Sequence, residues 1–146
     1  MKLNITIAVL ALACTALMSV ATAHEPAEDA EAGLRVVFAV TPEPATTQQL
    51  SQIVFIVRDI NAEQGADPLP RLIENAKTIV RQGDREWGPF EVRESRRSPG
   101  EYRVQRIFAY PGEYKVTLTY NKTGDQKARQ LTWDATLRDR SILVLD

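Results

Sequence analysis

A tetrapeptide that occurs twice, Pro-Gly-Glu-Tyr at 99–102 and again at 111–114, constrains the fold of this chain more than any other feature. A Pro-Gly pair interrupts regular secondary structure. After each copy, polar and apolar residues alternate with the period of a strand that buries one face. The stretch from Ser98 to Tyr120 therefore predicts two strands joined by a tight turn into a hairpin. The second strand has one apolar face, formed by Tyr114, Val116, Leu118 and Tyr120.

Further short runs have strand character, and turn residues separate them. They cover residues 34–40, 52–58, 78–81, 87–93, 131–138 and 141–145. Arg71–Ala76 is the one segment for which a short helix or an irregular edge strand is predicted. Seven to eight short strands without a long helix are typical of an all-β protein. We therefore predict an immunoglobulin-like antiparallel β-sandwich.

Residues 1–23 are predicted to be a secretory signal peptide that is cleaved from the protein. A short polar start with Lys2 precedes an apolar run from Ile5 to Val20, and Ala21-Thr22-Ala23 supplies small residues for cleavage. The run is shorter than the ~20 residues of a membrane-spanning helix, so an uncleaved anchor is the less favoured alternative. We expect a periplasmic or secreted protein with no membrane span after cleavage.

Cys14 offers an alternative to simple cleavage, because Leu12-Ala13-Cys14 partly resembles a bacterial lipoprotein signal. Ala11, however, stands where that pattern has a branched apolar residue. Cleavage before Cys14 would also leave the apolar residues 16–20 on the mature chain. We therefore favour removal of Cys14 with the signal peptide over its lipidation.

The chemistry available to the mature chain is narrow. Both methionines and the only cysteine lie within residues 1–23, and the only histidine is His24. Thiolate catalysis, disulfides and Cys/His zinc sites are thereby excluded. The sequence has no nucleophile elbow and no phosphate-binding loop, and no basic stripe with interleaved aromatic residues indicates nucleic acid binding. We predict a protein that is not an enzyme, with catalysis by a carboxylate pair as the alternative.

The segment from His24 to Gly33 contains four acidic residues, a proline and little to bury. We predict a disordered acidic leader over 24–33 and the sandwich domain over 34–146. After cleavage, His24 would be the first residue, and its α-amino and imidazole nitrogens together suit copper(II). A metal site at His24 is therefore a hypothesis. The alternative is that cleavage leaves a histidine there without a role.

A candidate partner surface lies in the stretch before the repeated tetrapeptides. It combines two aromatic residues with three arginines: Trp87, Phe90, Arg93, Arg96 and Arg97. Arginine favours bidentate contacts with carboxylates or phosphates. The alternatives are a core position for the aromatic residues and a solvated, mixed-charge surface for the arginines. Tyr114 is predicted to brace a corner of the sandwich.

The order of several motifs resembles the YtkA-like and FixH-like group of exported bacterial immunoglobulin-like domains, over about residues 50–120. Asp67-Pro68-Leu69-Pro70 follows a long strand, Gly100-Glu101-Tyr102 opens a late strand, and Phe108 precedes Gly112-Glu113-Tyr114-Lys115-Val116. The resemblance implies a small non-enzymatic envelope domain, often linked to metal transport or redox-enzyme assembly. Many members carry Met or His before the Gly-x-Tyr motif. Residues 83–99 contain neither, so no ligand of the family carries over.

Together these features predict an exported, non-enzymatic binding or accessory domain that serves an envelope protein partner. An association with a transport or envelope assembly system is the expected context. The alternative function is copper(II) handling through His24, and no other cofactor is expected.

Overall fold

The computed structural model describes residues 25–140, and its regular elements are all β-strands. In chain order they are β1 (Glu25–Asp29), β2 (Leu34–Thr41), β3 (Leu50–Asp59), β4 (Ile73–Gln82), β5 (Arg85–Glu91), β6 (Arg93–Glu94), β7 (Glu101–Ile107), β8 (Gly112–Lys122) and β9 (Ala128–Leu137). The predicted signal peptide, His24 and the predicted strand 141–145 lie outside the described residues. Between residues 25 and 140 there is no helix long and apolar enough to cross a membrane.

The strands form two antiparallel sheets that pack face to face. One sheet has the order β1-β2-β3-β7-β6 and the other has the order β5-β4-β8-β9. Without β1, these are the two sheets of an immunoglobulin-like fold. The predicted all-β antiparallel sandwich is confirmed. The described strands exceed the predicted number because β1 and the two-residue β6 were not expected.

An aromatic cluster occupies the centre of the core. Trp133 of β9 stacks on Phe38 of β2 with ring centroids 5.5 Å apart, and Phe55 of β3 lies 5.5 Å from the same indole. All three side chains are buried. The cluster joins the two sheets without a disulfide.

The prediction of a disordered leader is wrong for the described residues 25–33. Residues 25–29 form β1, which pairs with β2 in a register from Glu25↔Phe38 to Asp29↔Leu34. The backbone ladder that holds an edge strand does not require apolar side chains. Ala27 packs against the core, and the carboxylate of Asp29 is bound by Tyr120 and Arg129.

The predicted hairpin of β7 and β8 is also wrong. β7 pairs with β3 and β6, whereas β8 pairs with β4 and β9, so the two strands lie in different sheets. The connection at 108–111 crosses from one sheet to the other. Alternation correctly placed Tyr114 on a buried face, but it does not determine which strands pair. The Tyr114 hydroxyl donates to the backbone carbonyl of Tyr110, which confirms the predicted corner brace.

The helical alternative for Arg71–Ala76 is wrong, because β4 extends from Ile73 to Gln82. Its pairing with β8 shifts register between Glu74 and Lys77. Asn75 there has a φ of 52°, in the left-handed region. This irregularity interrupts the alternation of side chains. The sequence therefore revealed only the regular part of the strand, at 78–81.

Candidate binding cleft

A change of sheet in the middle of one extended segment creates the candidate site. β5 pairs with β4 up to Glu91, and β6 pairs with β7 from Arg93 onward. Val92 makes the crossing, with its side chain buried and its N–H donating to the carbonyl of Ala76 at 2.9 Å. Because β5 lies in the other sheet, a cleft opens between β5 and the second half of β7.

This cleft has a volume of about 100 Å³. Its lining is mostly aromatic and aliphatic with one cationic side chain: Val80, Trp87, Phe90, Arg106, Ile107, Phe108, Ala109 and Tyr114. Sites for whole small molecules usually measure ~300–1,000 Å³. The volume therefore suits one side chain or a small group of a larger partner.

Aromatic rings hold the floor of the cleft in place. The ring of Tyr114 lies 5.9 Å from Trp87 and 5.2 Å from Phe108, the latter in an edge-on arrangement. Burial raises the pKa of the Tyr114 hydroxyl and outweighs the opposing effects of its hydrogen bond to Tyr110 and the charge of Arg85. Tyr114 is therefore a neutral, structural element of the floor.

Arg106 is the distinctive residue of the cleft. Its guanidinium carbon lies 3.3 Å from the centroid of the Phe90 ring, which is a cation–π arrangement. Its Nε–H is buried and has no hydrogen-bond acceptor. An unsatisfied buried donor costs ~1–3 kcal/mol. Within residues 25–140 the guanidinium is therefore held in place by a ring and not by a carboxylate.

The charge of Arg106 is not balanced by an ion pair within residues 25–140. The arginines that form ion pairs there are Arg35, Arg81, Arg93, Arg103 and Arg129. Arg85, which also lies outside that set, stacks on Tyr110 with its guanidinium carbon 3.9 Å from the ring centroid. Two cations without ion-pair partners therefore lie at the same end of the sandwich.

Exposed apolar residues flank the cleft on the outer face of the sheet. Ile107 and Leu50 are cross-strand neighbours on β7 and β3, and they are 65% and 55% exposed. Tyr110 is 44% exposed. Among the described residues only four large hydrophobic side chains are this exposed, and three of them are grouped at this end.

The structure separates the predicted partner residues into two groups. Trp87 and Phe90 line the cleft. Arg93 instead pairs with Glu91 at 3.1 Å on an exposed surface, and the exposed Arg96 and Arg97 lie in the turn before β7. From the start of β7 to Arg106 the strand spans about 17 Å, so these two arginines lie near the opposite end.

Sequence reasoning did not place Arg106 among the residues of the candidate partner surface, although a signal was present. Tyr102 and Val104 occupy inward positions of β7, and the same alternation places Arg106 inward as well. A charged residue at an inward position of a strand needs an explanation. That criterion would have selected Arg106 ahead of the exposed arginines.

A second groove lies on the outer face of β1–β3 and has a volume of about 530 Å³. Four of its five charged side chains already have partners among the described residues, and Glu63 is the exception. Arg35 pairs with Glu28 at 2.7 Å, and Arg58 donates to the carbonyl of Ala66 at 2.8 Å. This groove is therefore a weaker candidate for a ligand site than the cleft is. No cluster of three His, Cys, Asp or Glu side chains that could hold a metal occurs among residues 25–140.

The chain matches no protein-family model, no curated protein and no solved structure.

Proposed function

We propose that this protein is a non-enzymatic, exported binding or accessory domain that contacts an envelope partner through the cleft between β5 and β7. The observation that carries the proposal is Arg106, held on the Phe90 ring in an aromatic cleft and without an ion-pair partner among the described residues. A partner that brings an anionic group would supply the missing charge.

The chemistry of the cleft favours binding over catalysis. The residues that line it include one cation and one neutral phenol, but no carboxylate or histidine that could act as a general base. The carboxyl groups with lowered pKa values are Asp29, Glu31, Glu91 and Asp125, and each has a basic hydrogen-bond partner outside the cleft. Such ion-paired carboxylates stabilise structure and are poor proton acceptors.

The export and accessory parts of the proposal rest on the sequence. Residues 1–23 have the pattern of a signal peptide, and the motifs over about 50–120 resemble those of envelope domains of the YtkA-like and FixH-like group. On this basis we place the protein in the periplasm, with a transport or envelope assembly system as its context.

Capture from envelope extract tests this proposal. The mature chain should retain a specific protein that the Arg106→Gln variant loses, because glutamine keeps much of the volume but removes the charge. The double variant Arg96→Gln/Arg97→Gln is the matched control, since it removes two charges outside the cleft and should retain the partner. A partner lost equally from both variants, or the absence of any partner sensitive to Arg106, would contradict the proposal.

Copper(II) handling through His24 is the second candidate function. Glu25, which follows His24, pairs with Phe38 at the start of β1. Cleavage after Ala23 would thus place an N-terminal histidine next to a paired strand. Titration of copper(II) into the chain that starts at His24 should give sub-micromolar binding that His24→Ala abolishes. Equal binding by both proteins would rule out this site.

A further inference from the structure

The edge of β7 beside the cleft has unpaired backbone groups. The carbonyl of Gly100 accepts from the Val57 N–H of β3 at 2.9 Å, whereas the carbonyl of Glu101 accepts from Ser95 on the β6 side at 2.7 Å. Since backbone groups of successive strand residues point to opposite sides, the odd-numbered residues of β7 face the β6 side. Gln105 is therefore directed to that side.

On the side of β7 that faces away from β3, no strand among residues 25–140 pairs beyond Arg103. β6 pairs only with Tyr102 and Arg103. The strand that precedes β6 is β5, and it belongs to the other sheet. The N–H and C=O groups of Gln105 and Ile107 thus point into the opening of the cleft, where an additional strand could bind them.

We propose that an extended segment of a partner protein pairs with Gln105 and Ile107 as an added strand beyond β6, and that it inserts an Asp or Glu side chain into the cleft against Arg106. This inference rests on the proposed function and specifies the kind of partner. A protein segment is the expected ligand, because unpaired backbone groups, a small pocket and an exposed apolar pair lie side by side at this edge.

The geometry of a sheet defines the sequence that such a segment needs. Residues opposite each other on paired strands project from the same face. The residue opposite Arg106 therefore projects into the cleft, where a carboxylate can pair with the guanidinium. The residue opposite Ile107 projects from the outer face, beside Ile107 and Leu50. The segment should thus have an acidic residue next to an apolar, strand-forming one.

A second copy of this chain fits the edge less well than an acidic segment. In a two-fold symmetric pairing of two β7 edges, each copy brings its own Arg106 to the same region. Two guanidiniums that lack carboxylate partners would then repel each other. An acidic strand from another protein brings the opposite charge.

A random peptide library displayed on phage and selected on the mature chain tests the inference. Enriched peptides should carry an acidic residue next to a β-branched or aromatic one. Replacing that acid by its amide should weaken binding of the synthetic peptide at least about tenfold. The Arg106→Gln variant should bind the acid and the amide peptides equally.

Gln105→Pro and Gln105→Ala form a matched pair that isolates the backbone contact. Proline removes an N–H that no described strand uses, and it is tolerated at an edge of this kind. Gln105→Pro should lose peptide binding at least about tenfold, whereas Gln105→Ala should keep it. Thermal unfolding of both variants checks that the fold is intact. Equal peptide binding by wild type and Gln105→Pro, or enrichment without acidic residues, would overturn the inference.

Other occupants of the edge give distinct results. A dimer in sedimentation experiments that Gln105→Pro dissociates would replace the partner segment by a second copy. If the only role of Arg106 is to prevent two β7 edges from pairing, Arg106→Gln should increase self-association. Peptide binding that appears only after deletion of residues 141–146 would identify that segment as the occupant. Each of these results overturns the inference.

If no peptide is enriched but an envelope protein still depends on Arg106, the inference fails and the proposed function stands. If neither is found, both fail.

Discussion

The Tyr120 hydroxyl donates a 2.7 Å hydrogen bond to the carboxylate of Asp29, a residue 91 positions earlier in the chain. Asp29 also accepts from the Ala32 N–H at 3.0 Å and pairs with Arg129 at 3.2 Å. These contacts connect β1, at the edge of one sheet, to β8 and β9 of the other. An acidic segment that composition alone assigns to a disordered leader is fixed to the sandwich in this way.

Removing the Tyr120 hydroxyl should destabilise the fold more than removing that of Tyr102. Tyr120 donates to a charged carboxylate, whereas Tyr102 donates to the backbone carbonyl of Ile73 at 3.2 Å. A hydrogen bond to a charged group contributes ~1.5–3 kcal/mol, against ~0.5–1.5 kcal/mol for a neutral pair. We expect a larger loss of unfolding free energy in urea for Tyr120→Phe than for Tyr102→Phe. The reverse order would contradict a stabilising role for the Asp29 contact.

Arg129 should contribute strongly to stability because three carboxylates share it. Its side chain is only 8% exposed, and it pairs with Asp29, Glu31 and Asp125. Breaking a buried ion pair costs ~3–5 kcal/mol, and the exposure of Glu31 and Asp125 lowers the cost here. We expect Arg129→Met to lose more unfolding free energy at neutral pH than a substitution of an exposed arginine does.

The control for Arg129→Met is Arg97→Met. Arg97 lies in an exposed turn, and such surface substitutions usually change stability by less than ~0.5 kcal/mol. Similar losses for the two variants would show that the network around Arg129 does not stabilise the fold.

Acid should weaken the attachment of β1. Burial acts to raise the pKa of Asp29, but hydrogen bonds from Tyr120 and Ala32 and the charge of Arg129 lower it below the ordinary value of a carboxyl. A lowered folded-state pKa gives stability that is complete above the unfolded-state pKa of about 3.9 and is lost as the pH falls through the folded value. The unfolding free energy should therefore decline below about pH 4.

Asp29→Asn separates this effect from the titration of other carboxyl groups. The variant lacks the titrating group, so its unfolding free energy should be lower at neutral pH and should fall less steeply in acid. Urea titrations of both proteins at a series of pH values measure the difference. Parallel pH profiles would assign the acid sensitivity to groups other than Asp29.

The sequence predicted the faces of the strands better than their partners. Alternation identified Tyr114, Val116 and Leu118 as an apolar face, and all three are buried. It placed β7 and β8 in one hairpin, because alternation carries no information on whether a turn returns to the same sheet. Only the packing of the two apolar faces against each other decides that.

The candidate site was only half visible in the sequence for a similar reason. Trp87 and Phe90 were selected by type, and they do line the cleft. The cleft itself arises from the change of sheet at Val92, which no local pattern indicates. Without knowledge of this change of sheet, nothing distinguishes Arg106 from the other arginines of the sequence. The contact between β1 and Arg129 was equally hidden, since its residues lie about a hundred positions apart.

Gly88 lies between the two aromatic residues of the cleft, and its replacement tests how the cleft is shaped. Its φ is +105°, and a Cβ added there would lie 2.8 Å from the carbonyl oxygen of Thr78 and 3.1 Å from the Phe90 nitrogen. Backbone must therefore shift in Gly88→Ala, in addition to a conformational cost of ~1–3 kcal/mol. We expect a stability loss above about 2 kcal/mol and displacement of Trp87 and Phe90.

Gly83→Ala is the matched control for this substitution. Gly83 also has a positive φ, +56°, but nothing lies within 4 Å of an added Cβ. The Gly83→Ala variant should lose only about 1–2 kcal/mol of unfolding free energy, the cost of a left-handed conformation, and its cleft should be unchanged. Urea unfolding measures the two stabilities, and capture of the Arg106-dependent envelope partner measures the cleft. If Gly88→Ala retains that partner as well as Gly83→Ala does, the aromatic walls do not form the binding surface, because the substitution at 88 displaces them and the one at 83 does not.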